Sequence, residues 1–316
     1  MGIKNLNRHL IDQCSKNAIC KSHLKIAKGK TIVIDTSIYM YKYMTQNALI
    51  EYIYLMISIL LEYKITPIFI FDGKAPPEKQ DLLRERSKCK KNAERKYNEL
   101  KLETEKNEIN RVLKKDIMDE LDSLKKKFIR IKEYDIIKVK NLMDAYGVSY
   151  IEAEGEADKL CALMVKTGKA WACLSDDMDM FVYGCPRVLR HMSLLKHTII
   201  MYDFEIILKE LGILEEMFRE IMILTGTDYN IHQNISLSEA LKLFYDYSVK
   251  FNSEDFYTWL INHKKKDLNY NELLKTRELF CINENEDQYS NEGLFKKQPN
   301  YVELYKLLGE DGFIML

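Results

Sequence analysis

Thr31-Ile-Val-Ile-Asp35 and Pro67-Ile-Phe-Ile-Phe-Asp72 decide the fold. Each is a short, unbroken run of β-branched or aromatic side chains that stops at an aspartate and passes into turn or helix chemistry. Unbroken rather than alternating hydrophobicity belongs to a strand covered on both faces, so both runs read as central parallel strands. Between them, residues 38–63 have helical periodicity and enough length for the right-handed crossover that a parallel pair requires. A third run, Trp171-Ala-Cys-Leu-Ser175, leads into Asp176-Asp177-Met178-Asp179. Open α/β sheets gather functional groups at the carboxyl ends of their strands, so three acidic strand ends are expected to face one crevice.

The stretch 79–140 differs from its surroundings. It has no Gly or Pro and carries 20 Lys and Arg against 13 Asp and Glu, an excess of seven positive charges. Arg84, Arg86, Lys88, Lys90, Lys91, Arg95 and Lys96 are offset only by Glu85 and Glu94. Composition alone leaves a solvated helical face or a coiled-coil hairpin open. Helices are expected over 204–211, 215–224 and 238–247. Beyond Lys250 the chain turns polar and Asn-rich, with a last helix expected near 301–308.

Seven acids stand where they can converge: Asp35, Asp72, Glu156, Asp158, Asp177, Asp179 and Asp228. Helix capping is the plain alternative for Glu156 and Asp158, which open an Ala- and Leu-rich helix, and for Asp177 and Asp179. Density argues against it, because Glu152, Glu154, Glu156 and Asp158 repel one another unless a cation lies among them. Carboxylates without His or Cys make a hard oxygen site suited to Mg²⁺ or Mn²⁺ rather than zinc. Two such ions about 4 Å apart activate water and stabilise the leaving oxygen of a phosphodiester. No triad, P-loop, GxSxG or GxGxxG competes with that reading.

Composition excludes other classes. With 47% hydrophobic and 30% charged residues the 316-residue chain is neither disordered nor a membrane protein. Its longest apolar stretch, residues 52–61, is too short to span a bilayer. No signal peptide is visible, and Leu6 stands where a myristoylation motif needs Ser or Thr. Seven scattered cysteines with no CxxC pair fit a reducing intracellular compartment, nuclear or cytoplasmic.

Six motifs resemble the flap endonuclease branch of the XPG-type structure-specific 5′ nucleases. They are the opening Met1-Gly-Ile-Lys-Asn-Leu6, Val33-Ile-Asp35 to Tyr41, Phe71-Asp72-Gly-Lys-Ala-Pro-Pro-Glu-Lys79, and Glu156-Ala-Asp158 with Ser175-Asp-Asp177-Met-Asp179 at a 21-residue offset between Asp158 and Asp179. Gly226-Thr-Asp228-Tyr229 completes the set. The resemblance covers roughly residues 1–245 and implies an α/β fold: a central mixed, mainly parallel sheet flanked by helices, PIN-like. A helical arch would be inserted over about 79–140, giving a nuclease core over 1–228 and a helical C-terminal region over 229–316.

It further implies that Asp35, Asp72, Glu156 and Asp158 hold one Mg²⁺ and Asp177, Asp179 and Asp228 a second, with Mn²⁺ able to substitute. Lys79 and Arg86 would steer and polarise the scissile phosphate, as a mobile point charge and a bidentate fork. Gly2, exposed by removal of Met1, would lie near the active site. Tyr41 would stack on the base beside the cut, a contact of about 1–3 kcal/mol; its plain alternative is a core tyrosine. Arg84, Lys88, Lys90 and Lys91 would contact DNA from the arch, through or under which a single-stranded 5′ end passes. The implied partner is DNA with a 5′ flap, nick or branch, and the implied state a monomer. A junction or recombination nuclease, or an RNA endonuclease of the same fold, is the alternative; a silent DNA-binding scaffold fits less well because silent relatives tend to lose carboxylates.

Two departures stand out. The family's Gly-Ile-Gly turn after the last aspartate, which holds duplex phosphates, is here Asn234-Ile-Ser-Leu-Ser-Glu239-Ala, with an acid where a cation would help. Weaker duplex grip is expected. No sliding-clamp motif of the form Q-x-x-hydrophobic-x-x-aromatic-aromatic is present, so clamp binding is not expected. Zero net charge, from 48 basic and 48 acidic residues, is then an average over an acidic pocket and a basic channel.

Overall fold

A computed structural model describes residues 2–106, 111–233, 235–249, 254–283 and 298–313. The strands are β1 (Ile19–His23), β2 (Thr31–Asp35), β3 (Thr66–Phe71), β4 (Ser149–Glu152), β5 (Ala172–Leu174), β6 (Arg187–Ser193) and β7 (Thr198–Asp203). They form one sheet in the order β1-β7-β6-β5-β2-β3-β4. The pairs from β4 to β6 are parallel, and β7 joins β6 and β1 antiparallel. The expected mixed, mainly parallel sheet is therefore present, with the Thr31 and Pro67 runs side by side as interior strands.

Alternation along β2 shows why an unbroken apolar run was needed. Ile32 and Ile34 enter one core layer with Tyr39, Ile53, Leu60 and Leu142, whereas Val33 enters the other with Leu160, Cys161 and Phe181. All three are fully buried, so a polar residue on either face would lose hydration without a partner.

The first layer is built by α2 (Thr36–Met44), α3 (Leu49–Glu62), α6 (Glu133–Tyr146) and α14 (Tyr301–Glu310). The single crossover helix expected over 38–63 is instead two, α2 ending at Met44 and α3 starting at Leu49, with Asn47 between them at a left-handed φ of 54°. In α3, Leu49, Ile50, Ile53, Met56, Ile57 and Leu60 are buried at helical spacing.

The second layer comprises α1 (Leu6–Gln13), α7 (Ala157–Lys166), α8 (Asp179–Val182), α9 (Phe204–Leu211), α10 (Glu215–Leu224), α11 (Leu237–Val249), α12 (Phe256–His263) and α13 (Tyr270–Phe280). The polar, Asn-rich reading beyond Lys250 missed α12 and α13. Their anchors, Phe256, Tyr257, Trp259, Leu260, Leu273 and Phe280, are buried, and a few large side chains suffice to dock an otherwise polar helix.

The basic insertion is a hairpin of α4 (Gln80–Lys106) and α5 (Arg111–Lys127). Tyr97 packs edge-on against Phe128, and Arg130 bonds Glu94 at 2.8 Å. The two helices thus lie on each other, the hairpin geometry that composition had left open. The inserted part is shorter than the 79–140 stretch, since α6 begins at Glu133 and buries Val139, Leu142 and Met143 in the core. Residues 107–110, between α4 and α5 in the chain, lie outside the described residues. Among the described residues no helix is long and apolar enough to cross a membrane.

Candidate active site

Asp35 ends β2 and accepts from the Ile38 amide, capping α2; its second oxygen accepts the Ser175 hydroxyl at 3.0 Å. Asp72, one residue past β3, accepts the Ala157 amide at 2.9 Å. It therefore caps α7 from across the crevice. Gly73 makes that approach possible: its amide donates to the Gly155 carbonyl at 2.7 Å, and a Cβ there would stand 1.9 Å from the Ala153 carbonyl oxygen.

With Asp72 as the cap, Glu156 is free of that role. It sits at the N-cap position of α7 yet makes no capping bond. Its carboxylate instead bonds the Lys79 ammonium and accepts the Tyr229 hydroxyl. Asp177 accepts the Asp179 amide at 3.1 Å, and the Ser175 hydroxyl accepts the Asp177 amide at 3.1 Å. Asp228 sits within a turn in which the Asn230 amide oxygen accepts from both the amide and the hydroxyl of Thr227. Its carboxylate meets Lys79 at 3.2 Å and Arg86 at 3.1 Å.

The electrostatics are those of carboxylates short of counter-charge. Burial first, then the neighbouring Asp72 charge, push Asp35 up to about 7. Burial and adjacent carboxylates likewise raise Asp158, Asp177 and Asp179. Burial alone would lower Lys79, but Glu156 and Asp228 hold it well above its ordinary value. One oxygen each of Asp158 and Asp179 is buried with no partner, an arrangement that costs about 1–3 kcal/mol per group or more unless a cation completes it. Those orphaned oxygens, in an all-oxygen donor set, fit hard divalent ions. Among the described residues no three ligating groups already close on one point; the Lys79 ammonium stands between Glu156 and Asp228.

All seven predicted carboxylates thus border one crevice. Gly2 belongs to it as well: with φ of 75°, its missing Cβ would lie 2.4 Å from Asp177 Oδ1 and 2.6 Å from Asp179 Oδ1. Met1 lies outside the described residues. Tyr41 is 41% exposed, so the core alternative fails, and Lys90 of α4 lies 4.9 Å from its ring centroid. Arg84, Lys88 and Lys91 are exposed on α4, Arg84 pairing with Asp81. Glu152 leaves the cluster to pair with Lys140 at 2.6 Å. In the altered turn, Asn234 lies outside the described residues, and Glu239 is paired with Lys265 at 2.7 Å.

Several supporting residues escaped sequence reading. Arg190, 5% exposed, donates to Asn7 at 2.6 Å and to the Asp176 carbonyl at 2.7 Å, tethering the loop that carries Asp177. Nothing in the local sequence ties Asn7 to Arg190. Tyr229 adjoins Asp228 in its motif, and that adjacency was the available signal.

Residues 1–95 match the XPG N-terminal domain and residues 147–228 the XPG I-region. The chain belongs to the XPG family. Flap endonuclease 1 of Vanderwaltozyma polyspora is 30% identical over 270 residues, 78% of this chain and 67% of that protein. The Homo sapiens flap endonuclease 1 is 28% identical over 248 residues, covering 72% of this chain and 62% of its own length. This XPG-family chain therefore spans about three fifths to two thirds of such relatives. The flap endonuclease-1 structure from Methanococcus jannaschii superposes with a TM-score of 0.62 at 25% identity, covering 93% of this chain and 91% of that one. The catalytic core of Rad2 in complex with DNA substrate gives 0.68 at 18% identity, over 99% and 96%, a likeness of fold. The 5′ nuclease fold is thus shared, and XPG-family nucleases act on DNA phosphodiesters with divalent metal.

Proposed function

We propose that the protein hydrolyses DNA phosphodiesters with Mg²⁺ at or near 5′ single-strand to double-strand junctions, as a flap endonuclease or 5′ exonuclease does. The observation that carries this reading is the buried carboxylate crevice with partnerless oxygens on Asp158 and Asp179, into which the turn before α4 delivers Lys79 and α4 delivers Arg86. Asp35, Asp72, Glu156 and Asp158 would hold one ion, and Asp177, Asp179 and Asp228 the other. Bound there, the ions supply a more acidic water and neutralise charge on the leaving oxygen.

The chain's own residues do the rest. Lys79 and Arg86, now satisfied by Glu156 and Asp228, exchange those partners for the scissile phosphate and stabilise its developing charge. Tyr41 offers an exposed ring for an unpaired base. Arg84, Lys88, Lys90 and Lys91 contact the backbone without reading sequence. Residues 1–228 form the nuclease core, and 229–316 a helical region beside it that grips duplex weakly; the working unit is a monomer.

The test is cleavage of end-labelled 5′-flap, four-way junction, plain duplex and single-stranded RNA substrates in Mg²⁺, beside Asp177→Ala. Cleavage confined to the flap, and lost in the variant, is expected. No cleavage of any substrate would sink the enzyme reading, preferential cutting of the junction or the RNA would overturn the substrate class, and activity surviving Asp177→Ala would mark a contaminant.

A further inference from the structure

Glu156 differs from the other carboxylates in how it is held. Asp72 has taken the capping bond at α7, so the orientation of the Glu156 side chain rests on two contacts, Lys79 and the Tyr229 hydroxyl. In the proposed reaction Lys79 must leave for the phosphate. Tyr229 is then the remaining anchor.

Tyr229 is itself held. Its single hydroxyl proton goes to the Glu156 carboxylate, so the Tyr183 hydroxyl, 2.7 Å away, is the donor in their mutual bond. Both rings lean on Phe280 at the end of α13, with centroid distances of 4.7 Å to Tyr183 and 5.1 Å to Tyr229. Phe280 is fully buried, and α13 is fastened to α10 by Arg277, whose guanidinium bonds the buried Glu220 at 2.7 Å. Tyr229 and α13 both lie outside the segments matched by the XPG domains.

We propose that Phe280 is a positioning residue of the metal centre: from the C-terminal helical region it fixes the Tyr183 and Tyr229 hydroxyls, which orient Glu156 toward a divalent ion. The proposal rests on the metal-dependent reading above. A phenol that donates to a ligating carboxylate sets both its rotamer and the share of its charge left for the ion, and loss of such a supporting bond typically costs 10- to 100-fold in metal affinity. Phe280 acts at one remove. A ring that is missing beneath two tyrosines lets their hydroxyls wander from a bond whose strength falls steeply with angle. The consequence is that the carboxylate centre is tuned from a helix that touches no ligand.

The experiment is a Mn²⁺ titration of the full chain, read as loss of the free-ion paramagnetic resonance signal, for the unmodified protein, Tyr229→Phe, Tyr183→Phe, Phe280→Leu and Tyr229→Phe combined with Phe280→Leu. Expected is Mn²⁺ binding weakened about 10-fold by Tyr229→Phe, near the low end for a supporting bond, and weakened less by Tyr183→Phe and Phe280→Leu. Because both residues act through one hydroxyl, the double variant should bind no more weakly than Tyr229→Phe alone. Multiplying losses, or unchanged Mn²⁺ affinity in Phe280→Leu, would overturn the role of Phe280. Should Phe280→Leu fail to fold, Tyr183→Phe, which opens no cavity, decides: unchanged affinity there overturns the relay. Absence of Mn²⁺ binding in the unmodified protein would instead defeat the metal-dependent reading itself.

Discussion

Arg86 Nη2 reaches both oxygens of Asp228, at 3.1 and 3.3 Å, across 142 residues of chain. The first turns of the basic hairpin are thereby tied to the last of the seven carboxylates. The contact gives Arg86 a partner among the clustered carboxylates.

Lys79→Ala and Arg86→Ala should each slow single-turnover cleavage by about 100-fold or more, the usual cost of removing one preorganised charge donor, while flap-DNA affinity stays nearly intact. Rate measured against binding for each variant checks this. If either substitution weakens only affinity, its role in the chemical step is wrong.

Gly73→Ala should disable the centre without unfolding the sheet. A Cβ at that position meets the Ala153 carbonyl oxygen at 1.9 Å, so the 72–76 loop must retreat and take the Asp72 cap with it. Overpacking of this kind costs about 1–3 kcal/mol. A melting curve only modestly lowered, together with strongly reduced cleavage, is expected; an unaffected rate would show that Asp72 tolerates displacement.

Arg190→Met should destabilise the fold by about 2 kcal/mol or more, because a charged hydrogen-bond donor is lost and the Asn7 amide oxygen and Asp176 carbonyl lose its bonds. Urea unfolding of the chelated protein provides the measurement. Since the Asp176 carbonyl directly precedes Asp177, cleavage should fall even at temperatures where the variant is fully folded.

In chelator, stability should fall as pH rises from about 4 toward neutrality. Burial and the Asp72 charge raise Asp35 from 3.8 to about 7, so the folded state holds a proton there that the unfolded chain has released. That contribution is complete below the unfolded value and is lost as pH passes through about 7. Melting temperatures in chelator should therefore be lower at pH 7.5 than at pH 5.5, and divalent ions should reverse the order by binding the deprotonated site. Identical melting at both pH values would show that the carboxylates do not repel as their burial implies.

Glu239→Gln should tighten duplex binding. Glu239 now neutralises Lys265, at 2.7 Å, and freeing that ammonium adds about one phosphate contact, steepening the salt dependence of log affinity by about 0.9. Titration of plain duplex at several salt concentrations reads both quantities, and an unchanged slope would remove Lys265 from the DNA surface.

Much of this arrangement was legible in the sequence because it is local. Asp35 and Asp72 close apolar runs whose both-face burial demanded a central sheet, and α9 and α10 span the residues that periodicity assigned to them. The misses share a different cause. Residues 38–63 read as one helix because the left-handed backbone at Asn47 leaves apolar spacing undisturbed. Helices α12 and α13 were hidden because their few buried aromatics are diluted by polar neighbours.

The sequence by itself determined which carboxylates exist, in what order, and that all but Asp228 would emerge at a strand or helix end. Tertiary structure alone decided what each one does. Asp72 caps α7 from another strand, so Glu156 is released to Lys79 and Tyr229, and Phe280, 124 positions after Glu156 in the chain, steadies the hydroxyls that hold it. Local hydrogen bonds follow from spacing, but a buried polar group takes its protein partners wherever packing brings them. Those partners lie far away in sequence, which is why only the folded chain reveals them.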